Sequence, residues 1–381
     1  MYDRMDFSLG DDWAERTIRE LASFGAHHAE EFRAATRAGR FPRDLYEEMG
    51  RRGWVGSITP PELGGIGGGA AEYCLIAEEV GRHGLVSPQI SVQGQRWLLI
   101  WGTDEQQERW LKPMASGELV FSESISEHGV GSSFKNMSAT ARRDGDDWIL
   151  GGSKTHVNLG AACDLTIFYA MAEEGLTSFM VDMDEPGITT QQTDPIGLRL
   201  IPTADVEFSQ VRVPSTSLIG EPGQGLETFL STFNLSRLGN ASELLGFGRR
   251  ALVLGTDYAK SRVVGDAVVT DFQGIQWTIA DGYARLFAAA LARNHAAAVI
   301  DEGGDPGFVT SVAKKLAIDA AEEAANEVFA LTGGYGLYHD QDFAQILNDV
   351  KVLRIAGGSI EILRNYIARR LLKDDGYEGL R

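Results

Sequence analysis

The chain has 381 residues and a formal net charge of −19, enough length to bury sizeable cores and to divide into two or three domains. Its acidity opposes nonspecific binding to nucleic acid or anionic membrane. Two cysteines, Cys74 and Cys163, lie far apart and outside metal-ligand spacing, which argues against a disulfide scaffold or a zinc site and fits a reducing compartment.

The first residues, MYDRMDFSLGDD, are acidic and lack an apolar core, so no signal peptide is expected. From 11 to about 117 the pattern is helical. Residues 12–37 repeat apolar positions every three or four, and Pro42 opens a short helix to Met49. Residues 70–81 and 106–114 read as two more helices, the second preceded by Thr103-Asp104-Glu105. Near 119 the texture changes to short strand-like runs at 119–121, 137–143, 148–150, 165–171, 178–182 and 205–208. Turn signals such as Asp144-Gly145-Asp146 separate them, and the spacing suggests an antiparallel sandwich or barrel.

After Gly225 the helical period returns, with segments expected at 226–260, 271–301, 308–331 and 341–373. The most apolar stretch, 286–300, is broken by Arg293, Asn294 and His295 and does not read as a membrane span. Within the last segment, Ala356-Gly357-Gly358-Ser359 reads as a loop, with Ser359 as N-cap of a terminal amphipathic helix. The expectation is a mostly helical α+β chain in three parts, 1–118, 119–225 and 226–381, located in the cytoplasm.

Chemical motifs are individually weak. The glycine run at 64–70 contains G-x-G-x-x-A, but prolines rather than a buried strand precede it, so it reads as a turn and not a dinucleotide fingerprint. No metal-ligand spacing links the seven histidines, and adjacent His27 and His28 read as a solvated helix surface. Three stretches can bring backbone close to a ligand: Ser126 to Ser133 after a strand, Lys154 to Asn158 with His156 and Asn158 on one face, and Leu331 to Gly336 between two helices. Each also reads as an ordinary tight turn, a hydrogen-bonded pair or a glycine C-cap.

Taken in order, these segments resemble the acyl-CoA dehydrogenase flavoprotein family, from about Phe41 to Leu372. SEHGVGS at 126–132 resembles the family's TEPGAGS, and KTHVN at 154–158 its KTWI[TS]. Gly197-Leu198-Arg199, Val211 to Pro214, Gly223-Gln224-Gly225, Asp271-Phe272-Gln273 and Gly333 to Gly336 continue the series. The resemblance implies an N-terminal helical domain, a central antiparallel β domain and a C-terminal four-helix bundle. It also implies a dimer or tetramer, with FAD extended across a subunit interface. Ile125, Ser126, Ser132, His156 and Asn158 would meet the flavin half. Arg262, Gln273, Gly333 and Gly334 of a neighbouring subunit would meet the ADP half, with Ser359 and Glu361 also reaching the cofactor. Arg96, Ser236, Arg237 and Gly357 are the expected substrate-side residues, for an acyl-CoA or acyl-carrier-protein thioester.

In the family a glutamate removes the Cα proton, and the resemblance places it at Gly357, where no base exists. Ser236 stands at the alternative base position, so that route is also absent. Glu243, two turns further along the same helix, is expected to be structural. RVVGDA at 262–267 keeps the arginine of the family's RxxFG[KR] but not its aromatic or basic residues. Three readings stay open: an oxidoreductase with non-standard chemistry, in a secondary-metabolism setting; a partner subunit completing the FAD site of a heteromer; and a flavin-dependent monooxygenase offshoot.

Overall fold

Periodic apolar residues over the first third fold into six helices: α1 (Asp12–His27), α2 (Ala29–Ala38), α3 (Arg43–Arg51), α4 (Ala70–His83), α5 (Gln89–Trp101) and α6 (Asp104–Ala115). The computed structural model describes residues 12–373 except Ser132, so the signal-peptide expectation for the first residues and the assignment of Ser132 lie outside the described residues. The helix expected over 12–37 breaks at His28, which is half-buried and bonds Glu31 at 2.7 Å, while His27 is exposed. At α6, Thr103 Oγ1 accepts from Gln106 N (3.2 Å) and Gln106 Oε1 accepts from Thr103 N (2.9 Å), a reciprocal cap. Helix α5 had no sequence signal because its buried face carries Gln89, Ser91, Gln93 and Gln95 among the apolar residues. Polar residues in the interior erase the amphipathic period.

The middle third forms β1 (Phe121–Ser124), β2 (Thr140–Asp144), β3 (Asp147–Asn158), β4 (Leu165–Ala172), β5 (Gly175–Asp182), β6 (Ile188–Gln192), β7 (Thr203–Pro214) and β8 (Leu218–Ile219). They make one sheet in the order β6-β7-β3-β2-β4-β5-β8, with β1 beside β4. The hairpins β2–β3 and β4–β5 are antiparallel, as their turn signals require. The antiparallel barrel expectation is corrected in two respects. β1 runs parallel to β4, from Phe121 opposite Leu165 to Ser124 opposite Phe168, and β2 meets β4 in parallel at Thr140 and Met171. The path also ends at β6 and β8 without closing. β1 enters from α6 rather than from a hairpin, so no tight turn dictates its direction.

The last third holds α7 (Gly225–Ser261), a short hairpin of β9 (Val263–Val264) and β10 (Ala267–Val268), α8 (Gln273–Asp301), α9 (Gly307–Thr332), α10 (Asp342–Ile355) and α11 (Ile360–Leu371). The segment expected at 341–373 is two helices with the expected loop at 356–359 between them. Ala317, Ala320, Ala321 and Ala324 on α9 pack against Leu244, Leu245, Leu286, Ile346 and Leu363 of the surrounding helices. Arg293, which interrupts the apolar run of α8, is buried rather than solvated. It donates to Glu78 of α4 at 2.6 Å, and Arg249 of α7 donates to the other Glu78 oxygen at 2.5 Å. No helix among the described residues is long and apolar enough to cross a membrane.

Candidate functional site

The end of β1 is anchored to β3 by a buried ion pair. Lys154 Nζ donates to Glu127 Oε1 (2.9 Å) and to the Ile125 carbonyl (3.1 Å), and Thr155 N donates to the Ser126 carbonyl (2.8 Å). Burial alone would raise the Glu127 carboxyl. Donation from Ser138, Lys154 and Ala139 overrides it and holds the group down at about 2. Burial pulls the Lys154 ammonium down to about 8 against the attraction of Glu127. The pair therefore fixes Ile125 and Ser126 next to His156.

His156 is exposed and adopts φ 55°, inside a register shift between Lys154 and Val157 where β3 meets β7. A non-glycine residue in left-handed backbone on a bulge is strained, and such strain concentrates at functional positions. Asn158, half-buried, follows on the same side, its carbonyl accepting from Ser122 Oγ at 2.5 Å. The expected flavin-side residues of β1 and β3 are thus adjacent, and the exposed His128 and Gly129 turn lies beyond them.

A second group converges elsewhere. Arg262, Gly333 and Gly334 line a surface cavity of about 740 Å³ with Tyr258, Val264 and Tyr335. The rings of Tyr258 and Tyr335 stack there at 5.2 Å and 18°. Nothing lies within 4 Å of where a Cβ of Gly333 or Gly334 would sit, so backbone is open to a ligand. Gln273 opens α8 and is exposed, outside the residues lining this cavity. An open glycine backbone, an arginine and stacked aromatics suit the phosphates and adenine of FAD. The donor set fits the cofactor even without the family's usual aromatic and basic residues in the hairpin. Arg262→Ala is expected to weaken FAD binding roughly tenfold by removing a charge-assisted phosphate contact, measured by flavin release on dilution.

The third group surrounds Gly357, which has φ 64°. Lys314 of α9, fully buried, donates to the carbonyls of Ala356 and Gly358 (2.9 Å for the second), clamping the loop from both sides. Burial, with the nearby Arg237 charge, pushes its ammonium down to about 7. A Cβ on Gly357 would meet Asn240 Nδ2 at 2.2 Å and Lys314 Nζ at 3.3 Å. A β-carbon at this position would need the Asn240 amide to shift, with the Lys314 ammonium close behind it.

Arg237 is buried, with Nη1 donating to Asn234 and Ser311 at 3.3 Å and its guanidinium over the Phe233 ring at 4.4 Å. Its Nε has no partner among the described residues. Ser236 beside it is half-buried. Ser359 occupies the N-cap position of α11 but makes no side-chain bond to the helix backbone, which corrects the expected cap. Glu361 is exposed, its carboxyl lowered by its own backbone N–H and by Ser359. Arg96 is solvent-exposed on α5.

Sequence reasoning missed Lys314 and Asn240. The signal for Lys314 is its position in the buried stripe of Thr310, Ala313, Ala317 and Ala321. Glu243 reads from the sequence as structural. It is buried, accepts from Ser87 Oγ (3.1 Å) and Gln89 Nε2, and burial pushes its carboxyl up to about 8 against those bonds. The folded chain therefore keeps this proton while the unfolded chain loses it, so stability falls as pH rises from the usual carboxylate range towards 8. Glu243→Gln is expected to flatten that slope in thermal melts at pH 5, 6, 7 and 8.

Three domain families match the chain: acyl-CoA dehydrogenase N-terminal domain over 14–118, middle domain over 122–211 and C-terminal domain over 223–372. Among curated relatives, the 3-(aryl)acrylate reductase of Clostridium sporogenes is 32% identical over 377 residues, covering 96% of this chain and 97% of its own. The caffeyl-CoA reductase-Etf complex subunit CarC of Acetobacterium woodii is 31% identical, covering 88% and 91%. Among solved structures, butyryl-CoA dehydrogenase from Megasphaera elsdenii superposes with a TM-score of 0.92 at 26% identity, covering 97% and 100%.

Proposed function

Because this chain belongs to the acyl-CoA dehydrogenase family, and is therefore an FAD-dependent oxidoreductase acting on a CH–CH bond, we propose that it acts on an acyl-CoA or acyl-carrier-protein thioester without the family's usual carboxylate base. The occupied space at Gly357 carries this reading. Asn240 and Lys314 face the point where a base would project, and Lys314 is already spent on two carbonyls. FAD, when bound, exchanges a hydride with Cβ of the acyl group.

The chain's own work is then orientation and exclusion of water. The Glu127–Lys154 pair fixes the loop at Ile125 and Ser126, His156 and Asn158 flank it, and the Arg262–Gly333–Gly334 cavity of a neighbouring copy takes the ADP half. The loop from Ala356 to Gly358 closes the substrate side. With no carboxylate there, saturated acyl groups with a weakly acidic Cα–H are poor substrates. The reductase names of two relatives favour the reductive direction, hydride addition to an α,β-unsaturated acyl thioester.

Exposed Val263, Val264, Phe272, Trp277, Tyr335, Leu337 and Tyr338 cluster around the ends of α7, α8 and α9. An apolar patch of this kind suits burial by a second copy, which supports a homo-oligomer. The departures in the hairpin 262–267 favour the rival reading, a partner subunit in a heteromer. The test is the chain purified alone. About one FAD per subunit by visible absorbance, in a dimer or tetramer by light scattering, supports the enzyme, and a colourless chain overturns it.

A further inference from the structure

A series of buried polar groups, some of them without partners among the described residues, runs through the interior between α4, α5, α7 and β1. Gln93 and Asn240 are each 5% exposed. Tyr73 is 1% exposed, with its hydroxyl turned towards α7. Glu123 Oε1 and Thr232 Oγ1 are buried with no partner among the described residues, and Tyr169 Oη lies buried near Thr228. Buried polar groups are nearly always paired, so each orphan is destabilising unless a ligand satisfies it.

These groups are neighbours. Helix α5 runs along α7, with Gln89 bonded to Glu243 and Trp97 Nε1 donating to the Thr228 carbonyl at 2.7 Å. Gln93, one turn from each, faces the middle of α7. The Tyr73 hydroxyl lies against Gly239, where a Cβ would come within 1.9 Å of it. Glu123 is within electrostatic reach of both Tyr73 and Tyr169, and burial holds its carboxyl up at about 8. Thr232 and Gly239 share one face of α7, two turns apart. Asn240 completes the line by reaching Gly357. Amides, hydroxyls and a carboxyl are offered, and Lys314, the cation beside them, is already paired.

Resting on the acyl-thioester reading above, we infer that this interior receives an acyl group bearing a neutral hydrogen-bonding substituent, a hydroxyl in the first instance, and discriminates against a plain alkyl chain of the same length. An alkyl group would leave the orphan groups dry, whereas a hydroxyl both donates to and accepts from them. A site built to hydrogen-bond a substrate group rejects the analogue that lacks it far more strongly than an apolar pocket rejects an extra methylene.

The test uses the FAD-loaded protein, titrated anaerobically with 3-hydroxybutyryl-CoA, 4-hydroxybutyryl-CoA and butyryl-CoA while the visible flavin band is followed. At least one hydroxyacyl ligand is expected to bind about tenfold or more tightly than butyryl-CoA. Gln93→Leu and Asn240→Val, made separately, are each expected to shrink that preference by weakening the hydroxyacyl ligand alone. Equal or tighter binding of butyryl-CoA overturns the inference and leaves the thioester reading standing, as does an equal loss for all three ligands in both variants. A flavin band that responds to none of the three overturns both.

Discussion

Gly357→Glu combined with Asn240→Ala is expected to speed flavin bleaching by butyryl-CoA about 100- to 10,000-fold over the unaltered chain, the usual scale of a positioned general base. The double variant is needed because the site is not simply vacant. A Cβ on Gly357 collides with Asn240 Nδ2, and its backbone lies in the left-handed region at φ 64°. Gly357→Glu alone is therefore expected to melt several degrees lower, with part of that loss recovered when Asn240 is shortened. Stopped-flow absorbance decides the matter. If the unaltered chain bleaches as fast as the double variant, proton removal does not depend on a base at this position and the non-standard reading fails.

Lys154→Met is expected to cost about 3–5 kcal/mol of stability, because it strands the buried Glu127 carboxylate without its cation. The same change frees the Ile125 carbonyl, so FAD retention should fall along with the denaturation midpoint. Glu127 titrates below its unfolded range. Its contribution is present above the ordinary carboxylate range and is lost only as pH falls towards about 2. Urea unfolding at pH 7, with flavin fluorescence recorded in parallel, measures both effects. An unchanged midpoint would show that the pair does not hold the loop.

The expected helix segments and hairpins were legible because they depend on local patterns. Apolar residues spaced three or four apart gave α7, α8 and α9, and Gly145 marked the hairpin of β2–β3. The same reading failed at α5, whose buried Gln93 and Gln95 remove the period, and at β1, whose parallel partner β4 is distant in sequence. Arg293 looked like a polar interruption and is a buried ion-pair partner of Glu78. Nothing local distinguishes a solvated arginine from one neutralised by a glutamate on another helix.

The sequence by itself determined the three-part order, the acyl-CoA dehydrogenase resemblance and the absence of a carboxylate at Gly357. Those properties reside in periodicity and in short motifs read along the chain. Only the tertiary structure decided what stands at that position and around it. Asn240 from α7 and Lys314 from α9 meet the loop there, and Tyr73, Gln93 and Glu123 from three further elements supply buried polar groups nearby. Burial and hydrogen-bond satisfaction are properties of neighbours in space, and these neighbours are brought together by helix and sheet packing that no single stretch of sequence specifies.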